Sequence, residues 1–406
     1  MPTIVSQTAS ASFSESPITV DVQATSLLTS SSLKLVCELY VWNGADSAQP
    51  ATPSYTLKKF PLDSGGNKVA VFDLSPILNS FTSASLGESL DSGTSNSNWF
   101  TYEVYEEAKN SSGTIITGSH SSPTGEPFMS VGGYLKWGEK RDLAGSDSLS
   151  DIVDSFPLLT SAPISQSIIS TDVPFYFSAY ARTDKAVNRP TNVLFTDSLG
   201  STQSITLTSG QTDSNYTVGM NYITAAKLTT WKNAGAEWFK MVARNSTTPV
   251  SDVYHIDLDC QKKYTPQRII FKNRGGGFDQ FEFGLVSRTS MNAETQTYQQ
   301  NALNMYNGQY NSQQGVTTYT TQGNESIIVN TDYISEDYNE FFKEMMVSEE
   351  IYLVEPQESA SDALYDATWT LLTLESKNMT FKKSEVDKLI QYTFTFRYGT
   401  PYKLVL

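Results

Sequence analysis

Ile269-Ile-Phe-Lys-Asn-Arg-Gly-Gly-Gly-Phe-Asp-Gln-Phe-Glu-Phe-Gly284 is the stretch on which the reading of this chain turns. An apolar, β-prone run stops at Asn273, passes three glycines, and resumes as an alternation carrying Phe278, Phe281 and Phe283. Three bare residues allow positive φ and let one backbone lie against another, so the segment reads as two strands around a tight turn. The same residues, Asn273, Gly275, Gly276, Gly277 and Asp279, could also present consecutive N–H groups as an anion nest. A phosphate loop needs a Lys-Ser/Thr pair after the glycines and an opening helix. Here the glycines run into Phe278 and a strand. A structural turn is expected, with Asn273 and Asp279 bonding its backbone.

Downstream of the turn, residues 291–325 are rich in Gln, Asn, Tyr and Gly and too polar for a core helix. They read as an extended arm or long hairpin. Its tyrosines, Tyr298, Tyr306, Tyr310 and Tyr319, offer large contact area at modest entropic cost and could add strands to the sheet edge of a neighbour. Residues 335–347 make the best helix of the chain, with Ser335 as cap and acids in the first turn. Tyr338, Phe341, Phe342, Met345 and Met346 have the i, i+3, i+4, i+7, i+8 spacing of one buried stripe. Strands are expected at 350–354, 367–374, 378–382 and 390–398.

The pattern N-x-x-G-G-x-D-x-F-x-F, here from Asn273 through Asp279 and Phe281 to Phe283, resembles a hairpin in the C-terminal part of virion and tail-associated proteins of phages that infect Bacteroidetes, the crAss-like phages among them. The order that follows, a helix, a strand with S-x-x-I-Y, a strand pair and a final alternating strand, is similar as well. The resemblance covers roughly residues 265–400. Lys272 and Arg274 depart from it, standing where bulkier apolar residues often occur. What the resemblance implies is a non-enzymatic virion component: a multicopy tail, ring or baseplate protein, assembled in the host cytoplasm and docked to copies of itself and to other virion proteins.

Upstream, residues 1–16 read as a flexible start and 17–140 as a β-sandwich. In it Leu33, Leu35, Cys37, Leu39 and Val41 share one strand face. The segments 55–60 and 68–72 read as strands joined across Asp63-Ser-Gly-Gly66, and 73–81 as a short helical turn begun by Asp73 or Ser75. Residues 141–163 read as a linker. Residues 164–264 carry about six short strands spaced by turn residues, an immunoglobulin- or fibronectin-like sandwich. Residues 265–406 form a C-terminal α+β assembly module. The expected fold is mainly β: two consecutive sandwiches, then this module.

Composition agrees. Of 406 residues, 39% are hydrophobic and only 17% charged, while 22 Tyr and 20 Phe allow a large core and exclude a disordered chain. The net charge of −15 argues against nucleic-acid binding, which needs clustered Lys and Arg to displace counterions. No run reaches the 18 apolar residues of a membrane helix, and the first fifteen residues lack the basic and apolar segments of a signal peptide. Cys37 and Cys260 read as buried free thiols. With two His and no C-x-x-C, neither a zinc site nor another metal or cofactor is expected.

Catalytic sets are not assembled. His120 reads as solvent-facing in its loop and His255 as a half-buried strand residue, with no G-x-S-x-G elbow to serve. The acidic pairs Asp257/Asp259, Glu106/Glu107 and Glu349/Glu350 could begin a calcium site or a glycosidase pair, but among 43 acids they read as solvated charge. A receptor- or glycan-binding adhesin or tail fibre, contacting a host surface through aromatic loops such as 86–99, is the alternative function. A particle-bound glycoside hydrolase ranks third.

Overall fold

The computed structural model describes residues 2–7, 11–27, 32–42, 48–81, 97–123, 127–133, 158, 160–181, 190–207, 217–259, 263–299, 305–306, 309–310, 316–356, 367–383, 390–400 and 402–403. The protein is mainly β, with several sheets built largely of antiparallel strands and few helices.

The N-terminal region contributes β1 (Thr3–Gln7), β2 (Ala11–Phe13), β3 (Thr19–Gln23), β4 (Lys34–Trp42), β5 (Tyr55–Lys59), β6 (Leu62–Ser64), β7 (Asn67–Asp73), helix α1 (Ser75–Phe81), β8 (Ser97–Lys109), β9 (Ile115–Thr117) and β10 (Phe128–Val131). One sheet runs β1-β3-β7-β6; a second runs β2-β10-β8-β4-β5, with β9 against β8. The faces of the two sheets share one core. Val20, Val22 and Phe72 from the first meet Leu35, Cys37, Leu39, Val41, Tyr102 and Val104 from the second. The alternation along β4 therefore does what its spacing predicts. Asp73, two residues before α1, accepts from the Ser75 N–H and hydroxyl and turns the chain into the helix.

Two expectations change here. Residues 1–16 are not simply a flexible lead: β1 pairs with β3, β2 runs parallel to β10, and Phe13 is buried. Their Ser/Thr/Ala composition hides strands because few large apolar residues mark them. The hairpin across Gly65 and Gly66 joins β6 to β7, whereas β5 pairs with β4 in the other sheet. The chain switches sheets between Lys59 and Leu62, which strand periodicity alone does not reveal.

The second region adds β11 (Ser165–Ile168), β12 (Phe175–Ala181), β13 (Asn192–Asp197), β14 (Thr202–Thr206), β15 (Thr217–Ile223), helix α2 (Ala225–Asn233), β16 (Trp238–Asn245), β17 (Thr248–Pro249) and β18 (Tyr254–Leu258). The sheet β11-β18-β16-β13-β14, with β17 on β16, faces the pair β12-β15 across a core of Phe175, Phe177, Phe195, Phe239, Ile256 and Trp231. Helix α2 was not expected. Thr224 caps it by accepting from the Lys227 N–H, and Leu228 and Trp231 are its buried positions. Nine residues with only this pair buried give a weak periodic signal.

The third region holds β19 (Gln267–Lys272), β20 (Phe278–Phe283), β21 (Arg288–Gln299), β22 (Met305–Tyr306), β23 (Gln309–Tyr310), β24 (Val316–Asn330), helix α3 (Tyr338–Val347), β25 (Ile351–Pro356), β26 (Ala367–Leu374), β27 (Thr393–Tyr398) and β28 (Tyr402–Lys403). Its sheet runs β20-β19-β25-β26-β27-β24-β21, with β28 beside β24. The predicted stripe of α3 packs on one face. Phe341 meets Phe271 edge-on at 4.9 Å, and Phe342 lies 5.0 Å from Phe281 and 5.1 Å from Phe394. Asp337, rather than Ser335, occupies the cap position, and Ser335 instead accepts from the Asp337 N–H. Residues 378–382 are not a strand; Phe381 there packs edge-on against Tyr392.

Candidate functional site

The glycine turn has the shape its sequence predicts. Asn273 N–H donates to Gly277 O at 2.8 Å, and Gly276 N–H to Asn273 O at 3.1 Å. Gly276 has φ +76, a value favouring glycine. The Asn273 side-chain oxygen accepts from the N–H groups of Gly275 and Gly277, at 3.0 and 3.1 Å. The inward N–H groups are thus used by the turn itself, which removes the anion-nest reading. Asp279 does not bond the turn backbone as expected. It accepts from the Asn273 amide at 3.0 Å and from the Ser161 N–H and hydroxyl, at 2.9 and 3.0 Å.

Both faces of the β19–β20 hairpin are buried. Ile269, Phe271, Phe281 and Phe283 face α3. On the opposite face, residues that alternate as solvent-facing by pattern meet the second region instead. Arg268 is 2% exposed, and its guanidinium donates to the carbonyls of Ser170, Val173 and Pro174 at 2.7, 3.0 and 2.6 Å. Glu282, opposite it in the ladder, accepts from the Ile169 and Ser170 N–H groups and lies 3.5 Å from Arg268. Gln280 donates to Tyr176 O, and the Phe278 N–H donates to the Ser178 hydroxyl at 2.7 Å. Four strand residues, Arg268, Phe278, Gln280 and Glu282, therefore hold the 169–178 segment through its backbone and one hydroxyl.

The two basic residues that flank Asn273 find acids. Arg274 pairs with Glu344 of α3 at 3.0 Å, and Lys272 lies 3.7 Å from Glu15 of the N-terminal region. The same region closes on the turn through Gly133. A Cβ there would stand 2.5 Å from Arg274 O and 3.1 Å from Gly275 C. The turn is a junction where three parts of the chain meet. Part of the expected linker belongs to it, since Ser161 bonds Asp279 and the buried Leu158 bridges to Ala179.

Burial holds the carboxyls of Asp279, Glu344 and Glu350 above their ordinary range. The donors of Thr160, Ser161 and Asn273 pull Asp279 back, as Arg274 does Glu344 and Lys272 does Glu350. Glu106 behaves oppositely. Burial acts to raise it, but the N–H groups of Thr25, Ser26 and Leu27 converge on it and hold it below the usual value. It is buried and closes a turn, so the expectation of solvated charge fails there. Like charge patterns cannot separate such a residue from its neighbour Glu107, which pairs with Lys58.

The arm is the second candidate. All twelve residues of β21 are exposed, and β21 pairs along its length with β24. Tyr298 and Tyr319 are exposed with ring centroids 6.3 Å apart, and the Tyr319 hydroxyl donates to Gln296. Tyr306 and Tyr310 lie on the short pair β22–β23, of which only the backbone is described. The turn residues and the arm tyrosines are therefore separate sites. Of the 86–99 loop, residues up to 96 lie outside the described part; Trp99, expected to meet sugars, is buried in β8.

Remaining candidates divide similarly. Cys37 is free and buried, its thiol pushed up to about 12 by desolvation; Cys260 lies outside the described residues. His255 contacts Asp257 at 3.0 Å, and His120 is exposed, contacts Glu103 at 2.8 Å and stacks on Tyr105. Among the described residues, Glu38, Glu103 and His120 bring ligand atoms within 4.8 Å of one another and are the set that could hold a cation. No helix among them is long and apolar enough to cross a membrane.

No family model matches the sequence, and no curated protein matches it. Among solved structures, a marsupial T cell receptor aligns at 7% identity over 80% of this chain and 95% of that chain, with a TM-score of 0.19. A likeness at that score carries no argument.

Proposed function

We propose that this chain is a non-enzymatic phage virion protein, a multicopy tail, ring or baseplate component that docks to neighbouring subunits. On this reading the first two regions are immunoglobulin- or fibronectin-like sandwiches that give rigid spacing, and the third is the assembly module. Copies of the chain and other virion proteins are its partners, with no nucleic acid, cofactor or catalytic set involved. The observation that carries the reading is the β21–β24 ribbon. Its distal part, residues 295–299 against 316–321, is two-stranded and exposed where its side chains are described, and such a pair is marginal by itself in water and gains stability from a further strand or surface. The junction supports it: polar residues buried between regions fix their relative placement, as a load-transmitting part needs.

The test is the mass and shape of the purified chain by light scattering and negative-stain imaging, together with its presence in particles. Defined multimers are expected. A strict monomer that is missing from particles would overturn the proposal. A receptor- or glycan-binding role is the second reading, favoured by the exposed Tyr298–Tyr319 pair; a glycan array without binders above background would retire it.

A further inference from the structure

We propose that the outer edge of β21 is a self-association edge, on which Arg288 to Glu294 of one copy pair antiparallel with the same residues of a second copy about a two-fold axis at Met291. The inference rests on the multicopy reading and specifies its contact.

Strand β21 ends the sheet, so among the described residues no strand covers its outer edge between Arg288 and Glu294. An open row of backbone N–H and C=O groups is a template for another strand, and natural edges are usually blunted by Lys, Pro or bulges. This edge is not blunted in that way. Between Arg288 and Glu294 there is no Pro, no Lys and no register shift; the shift in the β21–β24 ladder comes later, between Gln296 and Thr297.

Charge selects the occupant. The chain carries −15 overall, so two copies repel over most of their surfaces. The β21 edge is an exception, with Arg288 and Glu294 as its only charged residues. In-register parallel pairing would set Arg288 beside Arg288 and Glu294 beside Glu294, which is destabilising. Antiparallel pairing about Met291 sets each Arg288 opposite a Glu294 of the other copy. The remaining pairs are uncharged: Thr289 with Ala293, Ser290 with Asn292, and Met291 with itself. Strand alternation puts Arg288 and Glu294 on the same face, as the pairing requires, and Met291, 60% exposed, on the other.

The test uses charge reversal at two exposed positions, followed by sedimentation across a concentration series. Arg288→Glu and Glu294→Arg are each expected to weaken self-association about tenfold, because each sets like charges opposite at two places. The two single variants mixed together are expected to associate as well as wild type, and so is the R288E/E294R double variant. Net charge alone predicts otherwise, since Glu294→Arg lowers the overall negative charge and would then strengthen association. Circular dichroism checks that each variant is folded. A wild type that associates while neither single variant weakens it overturns this edge and leaves the multicopy reading standing. A wild type that stays monomeric throughout overturns both.

Discussion

Arg268 shows how much one side chain carries at the junction. Its fork reaches three carbonyls of the 170–174 segment while its carboxylate partner Glu282 takes the N–H groups beside them. Arg268→Ala leaves Glu282 buried without its cation, and a loss of about 3–5 kcal/mol in urea unfolding is expected. Arg268→Lys recovers little of it, because one ammonium cannot reproduce a planar fork. A second comparison sets Gly133, at φ +130 and close to the turn, against Gly65, at φ +57. Gly65 and Gly133 both have positive φ, but a Cβ at Gly65 meets open space while one at Gly133 meets the turn backbone. Gly65→Ala is expected to cost about 1 kcal/mol in thermal or denaturant unfolding, from conformation alone. Gly133→Ala is expected to cost more, from both its φ of +130 and the contact with the turn backbone, and to raise protease sensitivity where the N-terminal region meets the turn; equal costs would mean that neither contributes.

At the scale of elements, the strands differ in what holds them. Helix α3 is fixed by a stripe of Tyr338, Phe341, Phe342 and Met345, all buried, and this was legible from spacing because a helix that packs on one face repeats every 3.6 residues. Phe341→Ala is expected to destabilise the third region by about 3–5 kcal/mol, measured by chemical denaturation. The distal part of the ribbon, residues 295–299 against 316–321, is held differently, by ladder bonds with little burial. Replacing residues 294–321 with a short Gly turn is expected to leave the unfolding midpoint within about 2 °C while weakening self-association, because Glu294 is lost and the edge from Arg288 to Ala293 remains. Polarity marks this stretch in the sequence, expected over 291–325, whereas the two strands run from Arg288 and to Asn330. Helix α2 escaped notice, since two buried residues in nine make no stripe.

Across the whole molecule, buried carboxyls link stability to pH with a definite sign. Asp279, Glu344 and Glu350 are raised by burial, so their folded pKa values exceed the unfolded ones. Between the two values the folded state holds more protons, and stability falls as pH rises through that window. Glu106 is lowered, so its contribution is present above its unfolded value and lost as pH falls through the folded one. The urea midpoint is therefore expected to be higher at pH 5 than at pH 8, with the difference reduced in Glu344→Gln. Equal midpoints at the two values would contradict the assigned directions.

The sequence by itself determined the local elements: the glycine turn, the face of β4 lined by Leu35, Cys37 and Leu39, the stripe of α3, and the polar arm. Each follows from a period or a backbone preference that neighbouring residues already impose. Tertiary structure alone decided that Arg268, Gln280, Glu282 and Asp279 are interior, that Ser161 and Gly133 close on the turn, and that β5 and β7 lie in different sheets. The physical reason is that a polar residue at an alternate strand position looks the same whether water or another region's backbone answers its hydrogen bonds. Only the arrival of distant segments distinguishes the two.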